Sequence, residues 1–151
     1  MSSQLPPVPG APGTPGAPGA PEPPRGPTPY ELMGGDAGVR RLVDRFYDLM
    51  DSAPEAANVR AMHARSLKSS REKLYMFMSG WTGGPQLYVQ RHGHPRLRMR
   101  HFPFAIAQRE RDEWLWCMDR ALDEHDMPAE VRDFLRVRLH QLADHMRNQP
   151  G

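Results

Sequence analysis

In the stretch "VRRLVDRFYDLM" the apolar side chains fall at Val39, Leu42, Val43, Phe46, Tyr47 and Met50. Spacing of i, i+3, i+4, i+7 lines one face of an α-helix, whereas a half-buried strand would alternate with period two. The helical period recurs along the chain. Leu74, Phe77, Met78 and Trp81 share a face, as do Trp114, Met118, Ala121, Leu122 and His125. Val131, Phe134, Leu135, Leu139, Leu142 and Met146 make another stripe, and no run alternates with period two. The fold class predicted is all-α.

Punctuation places the helices. "PYEL" reads as a short turn stopped by Gly34 and Gly35, and Pro54 breaks a weakly periodic stretch over 51–66. Ser69 and Glu72 have capping-box spacing and predict the start of a helix that Gly83, Gly84 and Pro85 end. A less regular segment runs to Pro103. A long helix is predicted from near Asp112, and Pro128 suits the first turn of a last one.

Before Pro29 the composition changes. "LPPVPGAPGTPGAPGAPEPPRGPT", residues 5–28, is dominated by proline, glycine and alanine. Gly10, Gly13, Gly16 and Gly19 keep collagen spacing, but four triplets are too few for a triple helix. Such a composition buries too little to offset ordering entropy, so residues 1–28 are expected to form a disordered extension. Residues 29–151 then form one domain with a modest core.

A net charge of +2 is too small to imply a nucleic-acid partner, although 18 of the 20 basic residues are arginine. Cys117, the only cysteine, excludes an intrachain disulfide; flanked by Trp116 and Met118, it reads as an inert buried thiol. The N-terminus has no signal-peptide pattern and no stretch has the length of a membrane span, so a cytoplasmic protein with no membrane partner is expected.

Seven histidines are many for such a domain, yet no HExxH and no paired cysteines occur, so zinc patterns fail. A G-x-S-x-G nucleophile is also absent. His140 and His145 read as solvated, and His125 as favourably placed against its helix dipole. The segment "GHPRLRMRHFPF", 93–104, sets Arg96, Arg98 and Arg100 just before His101 and a proline at 103. With Arg91, these cations fit a solvated loop, a docking surface or a pocket for an anionic cofactor. Nucleic-acid binding would need a recognition helix or aromatic platform beside them, and neither is present. A haem needs a histidine, cations for its propionates and an apolar slot, all of which these residues could supply.

Four motifs together carry a resemblance: "RFYDLM" at 45–50, "SREKLYMFMSGWTGGP" at 70–85, "GHPRLRMRHFPFAI" at 93–106 and "ERDEWLWCM" at 110–118. In this order and at these separations, residues 29–147 resemble the truncated (two-over-two) haemoglobins, group II. The resemblance implies a helical sandwich around haem b, with His101 as the proximal iron ligand. It implies that Trp114, Tyr47 and His63 stabilise a distal ligand, with Met62 as the alternative to His63 at the distal corner. Leu74 would stand over the haem with Ser70 as a gate one turn earlier. Lys73 would pair with a propionate and Arg98 belong to the cofactor site, while Phe77, Tyr88, Met99, Phe104 and Ile106 line or close it. The implied ligands are dioxygen, NO, CO or peroxide, with an unidentified reductase, in a monomer or homodimer. Redox chemistry on NO, dioxygen or peroxide, or ligand sensing, fits a polar distal side better than bulk oxygen transport. The rival from another class is a haem-free helical interaction module that docks through the basic surface.

Overall fold

The computed structural model describes residues 26–101 and 104–148, with the side chains of Arg98 and Arg100 also outside the description. Most of the proline-rich extension, and Pro103, therefore lie outside the described residues. Eight α-helices occur among the described residues, and no strand. They are α1 (Pro29–Leu32), α2 (Gly35–Ser52), α3 (Ala57–Ala61), α4 (Lys68–Trp81), α5 (Leu87–His92), α6 (Leu97–His101), α7 (Gln108–Glu124) and α8 (Ala129–His145). A 3₁₀ turn, Pro54–Ala56, leads into α3.

Two helix pairs form the sandwich. α2 packs against α4 and α7, and α7 packs against α8, while α3 lies on α7 and α5 on α4. The stripe read in α2 is the centre of the core: Val39, Leu42, Val43, Phe46, Tyr47 and Met50 are all buried. Complete burial of side chains such as Leu42 and Phe46 contributes about 1.5–3 kcal/mol each. Leu135 and Leu139 of α8 and Met118 and Leu122 of α7 meet them from the other layer.

Several boundaries differ from the expected ones. α4 starts at Lys68, so Ser69 lies inside the helix and caps nothing; the Ser66 hydroxyl accepts from the Lys68 N–H instead, at 3.3 Å. Glu72, free of the cap, pairs with Arg40 of α2 at 2.9 Å. α7 begins at Gln108, a turn before Asp112, because Glu110 accepts from the Ala107 N–H at 3.0 Å and caps that end. The segment expected to be irregular contains α5 and α6, too short to display a period.

The predicted stop after α4 is present: Gly83 takes φ 101°, and the Gly84 N–H donates to Ser79 O at 2.8 Å. The first turn is better defined than its composition suggests. Thr28 and Glu31 cap α1 reciprocally, the Glu31 N–H donating to Thr28 Oγ1 at 3.1 Å and the Thr28 N–H to Glu31 Oε1 at 3.0 Å.

Candidate functional site

Aromatic side chains bring α2, α3 and α7 together. Phe46 and Tyr47 are neighbours on the buried face of α2, their rings edge-on with centroids 4.8 Å apart. Phe46 also meets Trp114 of α7 at 4.9 Å, and Tyr47 meets His63, just past α3, edge-on at 5.9 Å. Tyr47, Trp114 and His63 thus form one contiguous group around Phe46, on elements that the core stripes hold together. Tyr47 is 5 % exposed, and burial drives its pKa upward, so the phenol keeps its proton.

His63 is oriented by its own turn. Its Nδ1 lies 2.8 Å from Val59 O. A carbonyl can only accept, so Nδ1 carries the proton and the neutral ring keeps its lone pair at Nε2. Burial pushes the His63 pKa down; the hydrogen bond to Val59 opposes this, and the charge of Arg60 lowers it further. Met62 caps α3 and packs partly against the core, while it is the His63 ring that faces Tyr47.

Two residues that sequence reasoning missed hold this corner. Glu113, beside Trp114, accepts from the Val59 N–H at 2.9 Å and from Asn58 Nδ2 at 2.6 Å, tying α3 to α7. Arg60 pairs with Asp51 at 2.8 Å and donates to Ala64 O at 3.0 Å and Arg65 O at 2.8 Å, closing the loop after His63. Neither has a local signal: Glu113 acts on residues some fifty-five positions away, and a lone arginine in a loop reads as surface.

His101 ends α6. Its Nδ1 is 2.6 Å from Leu97 O, one turn back, so again the proton sits on Nδ1 and the lone pair on Nε2. This is the tautomer a metal-ligating imidazole needs, with its other nitrogen fixed by a backbone carbonyl. Met99 at 56 % exposure and Phe104 at 41 % are large apolar side chains on either side of it in the chain. A neutral nitrogen donor flanked by open apolar surface fits haem. The remaining residues are more dispersed. Phe77 is buried and stacks on Trp81 at 6.3 Å, Tyr88 is buried against His92 at 4.8 Å, and Ile106 is buried. Leu74 and Ser70 are half-buried and Lys73 is exposed, all three on α4; the Arg98 side chain lies outside the described residues.

The other chemical groups have structural employment. Cys117 is fully buried in α7, and burial with the nearby Glu113 and Glu55 charges pushes its thiol up to about 11, as an inert thiol requires. His125 is buried as well, with Nε2 2.7 Å from Met33 O. That is a tertiary hydrogen bond, beyond the helix-dipole role expected of it. His140 is exposed and pairs with Asp119 at 3.0 Å.

Comparison with known proteins agrees with this geometry. The family model for bacterial-like globins matches residues 28–148. Group 2 truncated hemoglobin YjbI of Bacillus subtilis is 40 % identical over 122 residues, covering 81 % of this chain and 89 % of that one. The group II 2-on-2 hemoglobin from Agrobacterium tumefaciens superposes with a TM-score of 0.80 at 50 % identity, covering 82 % of this chain and 96 % of that one. A cold-adapted truncated hemoglobin from Pseudoalteromonas haloplanktis gives 0.80 at 45 %, covering 82 % and 99 %. These matches remove the ground for a haem-free docking module. The chain belongs to the bacterial-like globin family and, within it, to the group II truncated haemoglobins, haem b proteins that bind diatomic ligands.

Proposed function

We propose that His101 holds the haem iron from the proximal side, that Tyr47, His63 and Trp114 form the distal side, and that the protein works by chemistry on its bound ligand or by sensing it. Nitric oxide dioxygenation and peroxide reduction are the candidate reactions. The observation that supports the assignment is the His101 Nδ1 to Leu97 O contact of 2.6 Å, which leaves the Nε2 lone pair available for coordination beside the open apolar side chains of Met99 and Phe104.

When bound, haem b supplies an iron centre that takes a diatomic ligand and exchanges electrons with it. The chain's own residues do the rest. Trp114 Nε1–H and Tyr47 O–H are donors, and the raised pKa of Tyr47 keeps its donor in place. His63, with its lone pair at Nε2, offers an acceptor rather than a third donor in its neutral form. Donors aimed where negative charge collects stabilise it without reorganisation.

Hydrogen bonds to a charged group contribute about 1.5–3 kcal/mol, and 1.4 kcal/mol is a factor of ten, so each donor slows ligand escape roughly ten- to a hundredfold. Two such bonds retain a ligand too long for bulk transport and long enough for reaction. Stopped-flow dioxygen dissociation tests this directly. Trp114→Phe should release the ligand about ten- to a hundredfold faster than wild type; a fast wild-type rate that the substitution leaves unchanged contradicts the polar distal side.

A further inference from the structure

α6 is five residues long and, among the described residues, packs extensively against no other helix. One turn of helix does not hold itself in water, because nucleation is unfavourable. Leu97 reaches the core, but the C-terminal end of α6, where His101 sits, needs another anchor.

That anchor comes from the far end of the chain. After α8 the backbone continues through the buried Met146 to Asn148. Asn148 Nδ2 donates to His101 O at 3.2 Å and to Phe104 O at 2.8 Å. Its Oδ1 accepts from the Ile106 N–H at 2.8 Å, and its own N–H donates to Ile106 O at 2.9 Å. Two carbonyls on one side and an N–H on the other admit one orientation of the amide. The His101 carbonyl is one of the acceptors a helix leaves without an intrahelical partner. It also takes the Phe104 N–H at 3.0 Å, so that the main chain of His101 is gripped from two directions.

We propose that Asn148 is a positioning residue for the proximal histidine: its amide clamps the backbone of His101 and so fixes the direction from which the imidazole meets the iron. The ring has little freedom of its own, since Nδ1 is held within the same turn by Leu97 O. Moving the backbone of α6 therefore moves the ring. The proposal rests on His101 being the iron ligand.

Asn148→Asp separates the clamp from general stability. The carboxylate keeps the acceptor for the Ile106 N–H but cannot donate to the two carbonyls. Asn148→Ala removes both functions, and Leu135→Ala, a truncation of a fully buried core side chain in the middle of α8, lowers stability without removing any Asn148 hydrogen bond. The measurement is the iron–histidine stretching band in the resonance Raman spectrum of full-length, haem-loaded ferrous protein. Asn148→Asp and Asn148→Ala should shift and broaden the band and speed haem transfer to excess apomyoglobin about tenfold, the loss of one or two net hydrogen bonds. Leu135→Ala should lower the unfolding temperature and leave the band in place. Asn148 variants that lose stability with the band unmoved overturn the clamp alone. A wild-type band that persists in His101→Ala shows that the ligand lies elsewhere, and the clamp falls with it.

Discussion

At position 38 the structure has room for a hydrogen atom and nothing larger. A Cβ there would lie 1.9 Å from Met33 O and 3.6 Å from His125 Nε2, so Gly38 lets the start of α2 pass beneath the Met33 carbonyl. That carbonyl accepts the proton of the buried His125 ring, and the contact joins the first helices to the end of α7. Gly38→Ala should cost about 2–3 kcal/mol through overpacking and loss of this hydrogen bond. Denaturant unfolding checks it, and an unchanged midpoint refutes the close approach. Such contacts were not legible in the sequence, because Met33 and His125 are 92 positions apart and nothing near either announces the other. Cys117 was legible, since its apolar helical neighbours already implied an unreactive thiol. Tyr47 and Trp114 were legible as buried-face aromatics, but only the resemblance gave them a task.

The long elements were readable because their signal is local and repeated: the stripes of α2 and α8 span four turns and bury nearly every residue they select. Short elements carry too few repeats, which is why α5 and α6 escaped notice although α6 bears His101. Caps were read less well than stripes. Ser69 and Glu72 have the spacing of a cap without its position, whereas Glu110 does cap its helix from a sequence offering no serine or threonine partner. The Ala107 N–H, and secondarily Arg109 at 2.9 Å, hold the Glu110 carboxyl below the usual range. Arg109 is well exposed, so the backbone bond matters more. A carboxylate whose folded pKa is depressed contributes stability above its unfolded value of about 4.3, lost as pH falls through the folded value. Glu110→Gln should therefore be less stable than wild type by about 1 kcal/mol near neutral pH. The gap should close on acidification; a gap that widens instead assigns the wrong sign to this group.

Across the whole molecule, the Thr28–Glu31 cap starts the first described helix, α1, and the globin match begins at residue 28. Deleting residues 1–25 should therefore leave the absorption spectrum and ligand dissociation rates unchanged; altered kinetics would give the extension a part in the site. Sandwich and site depend on each other. The core of α2, α4, α7 and α8 brings Tyr47, His63 and Trp114 together, while α6 carries His101 on a segment that the core holds only lightly. The proposed bond from His101 to the haem iron is accordingly where the molecule is most open to test. In His101→Gly a cavity replaces the imidazole, and free imidazole can enter it. The ferrous spectrum of that variant should lose its wild-type form and regain it on adding imidazole, whereas a spectrum unchanged without imidazole would place the iron on another residue.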